Sequence, residues 1–222
     1  LASASYVIQF ENLEDATASA REVTVVDTLD TSKFDLSTFQ LGPISIPDTT
    51  VTPPPGVQSW TGYVDRRPAQ PSLLRFDAHL DVETGIARWV ISDLDPDTFG
   101  YRDDAGAGFL PPNVNAPEGE GAVSFLIEPL EGLGNGTVVA NRAAIRFDRE
   151  EWILTPTWAN TLDFAAPTSS VTTVAANTAA SDTSYTVTVE ASDSGSGIQR
   201  TALYASVDGG PFELVTVTDL GS

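Results

Sequence analysis

Asp93, Asp95 and Asp97 stand at alternate positions in the run Asp93-Leu94-Asp95-Pro96-Asp97, with Asp103 and Asp104 close behind. Carboxylates this near repel one another unless something positive lies among them. Hard oxygen donors at such spacing suit Ca²⁺, which takes roughly six to eight oxygens in loose geometry. Asp93, Asp95, Asp97 and Asp104 fall at positions 1, 3, 5 and 12 of an EF-hand-like loop. The match is incomplete, because Pro96 stands at position 4, Thr98 replaces the glycine of position 6, and position 12 is not the longer, bidentate Glu. The spacing therefore predicts Ca²⁺ coordination without a true EF-hand, with Asp103, Glu118 and Glu120 completing the shell. The same aspartates also cap turns with no metal present.

Other chemistries find less support. His79 is the one histidine and cysteine is absent, so thiol chemistry is excluded and zinc sites of the usual ligand set are not expected. A Ser-His-Asp triad would have to use His79, and no nucleophile elbow accompanies it. Paired carboxylates suit a glycosidase, but 31 Asp+Glu guarantee accidental pairs. Asp95-Pro96 is a fragile bond open to calcium-triggered self-cleavage. Trp60 and Tyr63, beside a proline-rich stretch, are the best candidates for stacking on a sugar ring, since both present flat apolar faces with a polar handle. Trp89 alternates with Ala87 and Ile91 and is expected in the core. Trp152 and Trp158 flank Pro156 and are expected to pack a domain junction. The chain is therefore expected not to be an enzyme.

The elements that must position these residues are strands. Tyr6, Ile8 and Phe10 share one face of a first strand, and Val23 and Val25 pattern a second. Leu74, Phe76, Ala78 and Leu80 alternate, Glu83-Thr84-Gly85 turns, and 86–91 returns as the partner strand, which leaves His79 facing outward. Residues 122–128 and 137–147 pattern further strands. Pro43, Pro47 and Pro53-Pro54-Pro55 predict an extended loop over 42–56. Residues 93–121 read as a second long loop, and a loop of that length in a compact domain needs a function or an internal staple.

The chain carries 11 Lys+Arg against its 31 acids, a net charge of −20. That charge argues against nucleic acid and against anionic membrane surfaces. No apolar run approaches the ~18 residues of a membrane-spanning helix. No signal-peptide pattern is expected in the chain, and it is expected to be an excised fragment of something longer. Near residue 164 the composition shifts, and Ala165-Ala166-Pro167 with Thr168-Ser169-Ser170 reads as a short linker. The expected fold class is all-β: a β-sandwich over 1–163 with a long calcium-stapled loop, then a partial Ig-like domain over 164–222.

Several runs carry a family likeness. Gly108-Phe109-Leu110-Pro111-Pro112-Asn113, Gly119-Glu120-Gly121-Ala122-Val123-Ser124-Phe125, the stretch from Asn141 to Asp148, and Asn160-Thr161-Leu162-Asp163 together resemble a conserved-repeat β-domain of very large secreted or surface proteins of bacteria. Residues 167–222, through Ser192-Asp193 with Gly195 and Gly197, and Asp208-Gly209-Gly210-Pro211, resemble a fibronectin type III or Ig-like repeat of bacterial surface proteins. Phe147-Asp148-Arg149-Glu150 resembles the acidic strand-end motif of cadherins, and Asn160 and Asp163 resemble their interdomain segment. The resemblance implies a second calcium set of Asp148, Glu150, Asn160 and Asp163 at the junction, with Glu11, Asp27 or Asp193 supplying further oxygens. It implies a structural or adhesion module of a secreted or cell-surface multi-domain protein. Its partners would be neighbouring domains of the same chain, surface glycans or a fibre-forming copy of itself. The alternative is a carbohydrate-binding accessory module of a secreted hydrolase.

Overall fold

The computed structural model describes residues 3–220 apart from 103, 105, 174–186 and 208. Among the described residues every regular element is a strand. In chain order these are β1 (Ala4–Glu11), β2 (Glu22–Thr28), β3 (Phe34–Ile46), β4 (Thr49–Val51), β5 (Ser59–Asp65), β6 (Leu73–Asp81), β7 (Ile86–Leu94) and β8 (Glu120–Pro129). They continue as β9 (Val138–Asn141), β10 (Ala143–Phe147), β11 (Ile153–Leu154), β12 (Trp158–Thr161), β13 (Thr168–Thr173), β14 (Thr188–Ser192), β15 (Arg200–Ala205) and β16 (Glu213–Asp219). The chain forms two compact units, 1–133 with 139–159, and 134–138 with 160–222.

The first unit is a sandwich of antiparallel sheets. One has the order β1-β8-β3-β4 and the other β11-β10-β2-β7-β6-β5. Period-two alternation explains why these segments pair face to face: each strand turns its apolar side chains one way and its polar ones the other. On β6, Leu74, Phe76, Ala78 and Leu80 are buried while Arg75 and His79 point outward. Trp89 of β7 is fully buried and stacks on Phe125 of β8 at 5.7 Å, and Phe39 of β3 stacks on the same Phe125 at 5.1 Å. These three rings join the two sheets and supply much of the apolar burial that stabilises the fold, at about 1.5–3 kcal/mol for each large side chain.

Pro43 corrects the expectation of a loop over 42–56. Strand β3 runs through it to Ile46, and a two-residue turn leads into β4. Its register against β8 shifts between Leu41 and Ile44, so a bulge absorbs the residue that cannot donate to the ladder. Ser124 Oγ then donates to the Pro43 carbonyl at 2.8 Å. In the second unit, β13 pairs with β14 and β15 with β16, both antiparallel.

Candidate functional site

The acidic stretch is organised by its own turns. The Asp93 side chain is fully buried at the end of β7. It accepts from Ser72 Oγ, from the Gly108 N–H at 2.9 Å, and from Arg102 at 3.4 Å. The next residues double back: the Phe99 N–H donates to the Asp95 carbonyl at 2.9 Å, and Tyr101 bridges to Leu94. Asp95 Oδ1 accepts from the N–H groups of Asp97 and Thr98 at 3.0 and 2.7 Å and from Thr98 Oγ1 at 3.0 Å. Those donors, the Thr98 N–H foremost, hold the Asp95 carboxyl below its ordinary range. Asp97 pairs with Arg67 at 3.0 Å and Asp104 with Arg102 at 2.6 Å. Glu118 accepts from the backbone and side chain of Asn115, and Glu120 from Asn113 Nδ2 at 3.2 Å. Asp103 lies outside the described residues.

The loop over 95–119 is pinned largely by amides. Asn12 Nδ2 donates to the carbonyls of Leu110 and Ala18 at 2.9 and 3.0 Å, and the Asn12 N–H donates to Gly119. The Asn113 N–H returns to the Asn12 carbonyl at 2.8 Å, while Asn113 Oδ1 accepts from the Gly119 N–H at 3.1 Å. Ala107, Phe109 and Leu110 are buried and fill the space beneath. Among the described residues no three His, Cys, Asp or Glu side chains converge into a group able to hold a metal ion.

The residues of the expected junction set fall on both units. Asp148 and Glu150 belong to the first, and Asn160 and Asp163 to the second. Asp148, at φ +49°, caps the start of β2 by accepting from the N–H groups of Arg21 and Glu22 at 3.0 and 2.9 Å. Glu150 and Asn160 are exposed. Asp163 accepts from the N–H of Ser196 at 2.7 Å and of Ala165 at 3.0 Å, and these bonds lower its carboxyl below the ordinary range.

Trp60 and Tyr63 do not form one platform. They are three residues apart on β5, so they point to opposite faces of the sheet. Trp60 is opposite Ala78 and shares the inner face, where its indole lies across Gly62: a Cβ there would meet the ring at 2.1 Å. Tyr63 is on the outer face opposite Arg75, with Phe99 against it edge-on at 6.4 Å.

A different group of residues surrounds a pocket of about 510 Å³ at the side of the sandwich. Its lining includes Tyr6 of the edge strand β1, Asp27 of β2, Asn141 of β9, and Arg142, Pro156 and Trp158. Asp27 follows Val23 and Val25 on the inner face of β2 and has no exposed surface. Asn141 Nδ2 donates to Asp27 Oδ2 at 2.7 Å, and the other carboxylate oxygen, Oδ1, has no hydrogen-bond partner. Burial raises the Asp27 carboxyl to about 6, against the opposing effect of Asn141. The Tyr6 ring stacks on Phe125 at 5.0 Å, and its hydroxyl is shifted upward by burial and by the Asp27 charge. Trp158, expected to pack a junction, is 68% exposed. Trp152 differs from it, with Arg146 over its ring at 4.7 Å.

In the sequence Asp27 stands only as a spare oxygen donor to the junction set. The signal that marks it is an acidic residue in phase with Val23 and Val25, on the face of a strand that otherwise carries core. Asn141 and Arg142 carry no such mark, because their role depends on which strand β9 leads into.

Residues 107–161 match the family described as Domain of unknown function (DUF7619). The match runs from the buried end of the acidic loop through β8 to β12, so it includes Asn141 and Trp158 but neither Tyr6 nor Asp27. No curated protein and no solved structure matches the chain.

Proposed function

We propose that this chain is a structural or adhesion module of a secreted or cell-surface multi-domain protein, and that it performs no catalysis. One observation carries the reading: the charged side chains of the acidic loop are already partnered within the fold, through Asp95 on Thr98, Asp97 on Arg67, and Asp93 and Asp104 on Arg102. Such an arrangement supports a rigid, solvated, strongly negative surface on a sandwich core. It leaves few carboxylates available for moving protons.

Calcium enters as a separate proposal of limited size. An ion among Asp93, Asp95, Asp97 and Asp104 must displace Arg102 and Arg67 and break the Asp95 cap. Two guanidinium groups already relieve the repulsion that the sequence spacing implied, so calcium adds rigidity to a loop that is shaped without it.

Beads carrying the 222-residue chain, held under flow against surfaces coated with polysaccharide or with the chain itself, test the adhesion half. Retention above that of bare beads is expected. Detachment equal to that of bare beads on both surfaces removes adhesion and leaves a spacer. The second reading, a carbohydrate-binding module, is favoured by the Trp158 pocket and not by Trp60 with Tyr63.

A further inference from the structure

We infer that the pocket between β1 and the β9–β12 region binds a neutral sugar residue, stacked on Trp158 and accepted by the free oxygen of Asp27. The inference deepens the adhesion half of the reading above by naming a ligand class and a site.

Four observations converge on that chemistry. Asp27 Oδ1 is an acceptor with no partner on a residue that lines the pocket, and because Asp27 has no exposed surface, a hydroxyl contacts it only as the pocket floor opens on binding. A buried polar atom in this condition costs free energy that a ligand hydroxyl would recover. Asn141 orients the carboxylate through Oδ2, so Oδ1 keeps a fixed direction. Trp158 offers a wide apolar face that is 68% exposed, the surface that the axial C–H groups of a pyranose cover. Arg142 is exposed and makes no ion pair among the described residues, so its fork of donors is available to ring and hydroxyl oxygens.

Charge excludes the neighbouring classes. An anionic ligand would meet Asp27 and a chain of net charge −20. A cationic ligand would meet Arg142. A neutral polyol with hydroxyl donors and one apolar face satisfies the carboxylate, the guanidinium and the indole together. The raised Asp27 carboxyl is compatible with this, because a desolvated acceptor is strengthened by a hydroxyl donor and not by bulk water. An extended peptide could instead add along the free edge of β1, whose residues 5–9 line the same pocket. That occupant uses backbone groups and leaves the buried Asp27 oxygen and the Trp158 face without a role.

The test is saturation-transfer NMR on the intact chain with a panel of neutral saccharides: glucose, galactose, mannose, N-acetylglucosamine and their short oligomers. At least one is expected to receive transfer from aromatic protons. Trp158→Ala is expected to weaken binding about 10-fold or more while the thermal midpoint holds, since the side chain is mostly exposed. Trp152→Ala is expected to leave binding unchanged, and Asp27→Asn to weaken it several-fold. Absence of transfer to every saccharide overturns the inference, as does an affinity, titrated from the transfer signal, that is unchanged in Trp158→Ala. Binding of an extended Val/Thr peptide in place of all saccharides overturns it in favour of strand addition. Bead retention on chain-coated surfaces, with no saccharide binding, would sink this site and keep the adhesion reading.

Discussion

Asp27 and Asp93 are fully buried aspartates near opposite ends of the same ladder, β2 paired with β7, and they are accommodated in different ways. Asp93 has a hydroxyl, a backbone N–H and a guanidinium around it. Asp27 has one amide, and half of its carboxylate is unmatched. Charge density, which makes the Asp93 end conspicuous in the sequence, is therefore a poor guide to where a ligand is wanted. Incomplete satisfaction of a buried group is a better one, because it leaves an interaction still to be made.

Substitution at the two positions should break this contrast most visibly. Asp93→Ala strands Ser72, the Gly108 N–H and Arg102 together, and a loss of about 3–5 kcal/mol in chemical denaturation is expected. Asp27→Asn should act in the opposite direction at neutral pH and stabilise the fold. A loss of stability at pH 7.5 in Asp27→Asn would show that its charge is compensated after all.

pH separates the two ends next. The Asp27 carboxyl titrates near 6 in the folded chain and at the ordinary 3.8 when unfolded. Between those values the native state holds the proton more tightly, so stability falls as pH rises from about 4 to about 6, by on the order of 3 kcal/mol, and the loss is complete above that window. Asp95, Asp30 and Asp81 are shifted downward by donors of their own turns, Asp65 by the Arg67 guanidinium and Asp163 by the Ser196 N–H. Those groups stabilise above 3.8 and lose their contribution as pH falls through their lowered values. The expected profile has its maximum near pH 4–5, and in Asp27→Asn the decline from 4 to 6 flattens. Urea midpoints measured at intervals from pH 3 to 8 on both proteins check the sign.

Calcium is expected to have a smaller effect. Melting in millimolar calcium and then in chelator should move the midpoint by only a few degrees, since Arg67 and Arg102 already occupy the acidic loop. A rise of 10 °C or more would show that the ion replaces these cations and that the loop is metal-built. The smallest change is expected for Asp97→Ser, which removes an exposed pair with Arg67 and should leave the midpoint unresolved from that of the parent chain.

Much of the sandwich was legible because its signals are local. The Leu74–Leu80 alternation, the turn at Gly85 and the outward His79 all follow from period two and turn chemistry. Pro43 misled because a bulge depends on what β8 presents opposite it. The acidic run was legible as a loop but not as a balanced one: Arg67 lies 30 positions from Asp97, and no local pattern connects them. The pocket was least legible, since Tyr6, Asp27, Asn141 and Trp158 come together only through the order of strands in two sheets.

The amide stitching at Asn12 and Asn113 has an environmental consequence. These contacts to backbone carbonyl and N–H groups carry no net charge, so dissolved electrolyte, which mutes ionic attractions beyond about 3 Å at molar strength, leaves them largely untouched. The long excursion between β7 and β8 should thus keep its shape from dilute medium to brine, and its outward acids are free to drift in number and position without unravelling what lies beneath.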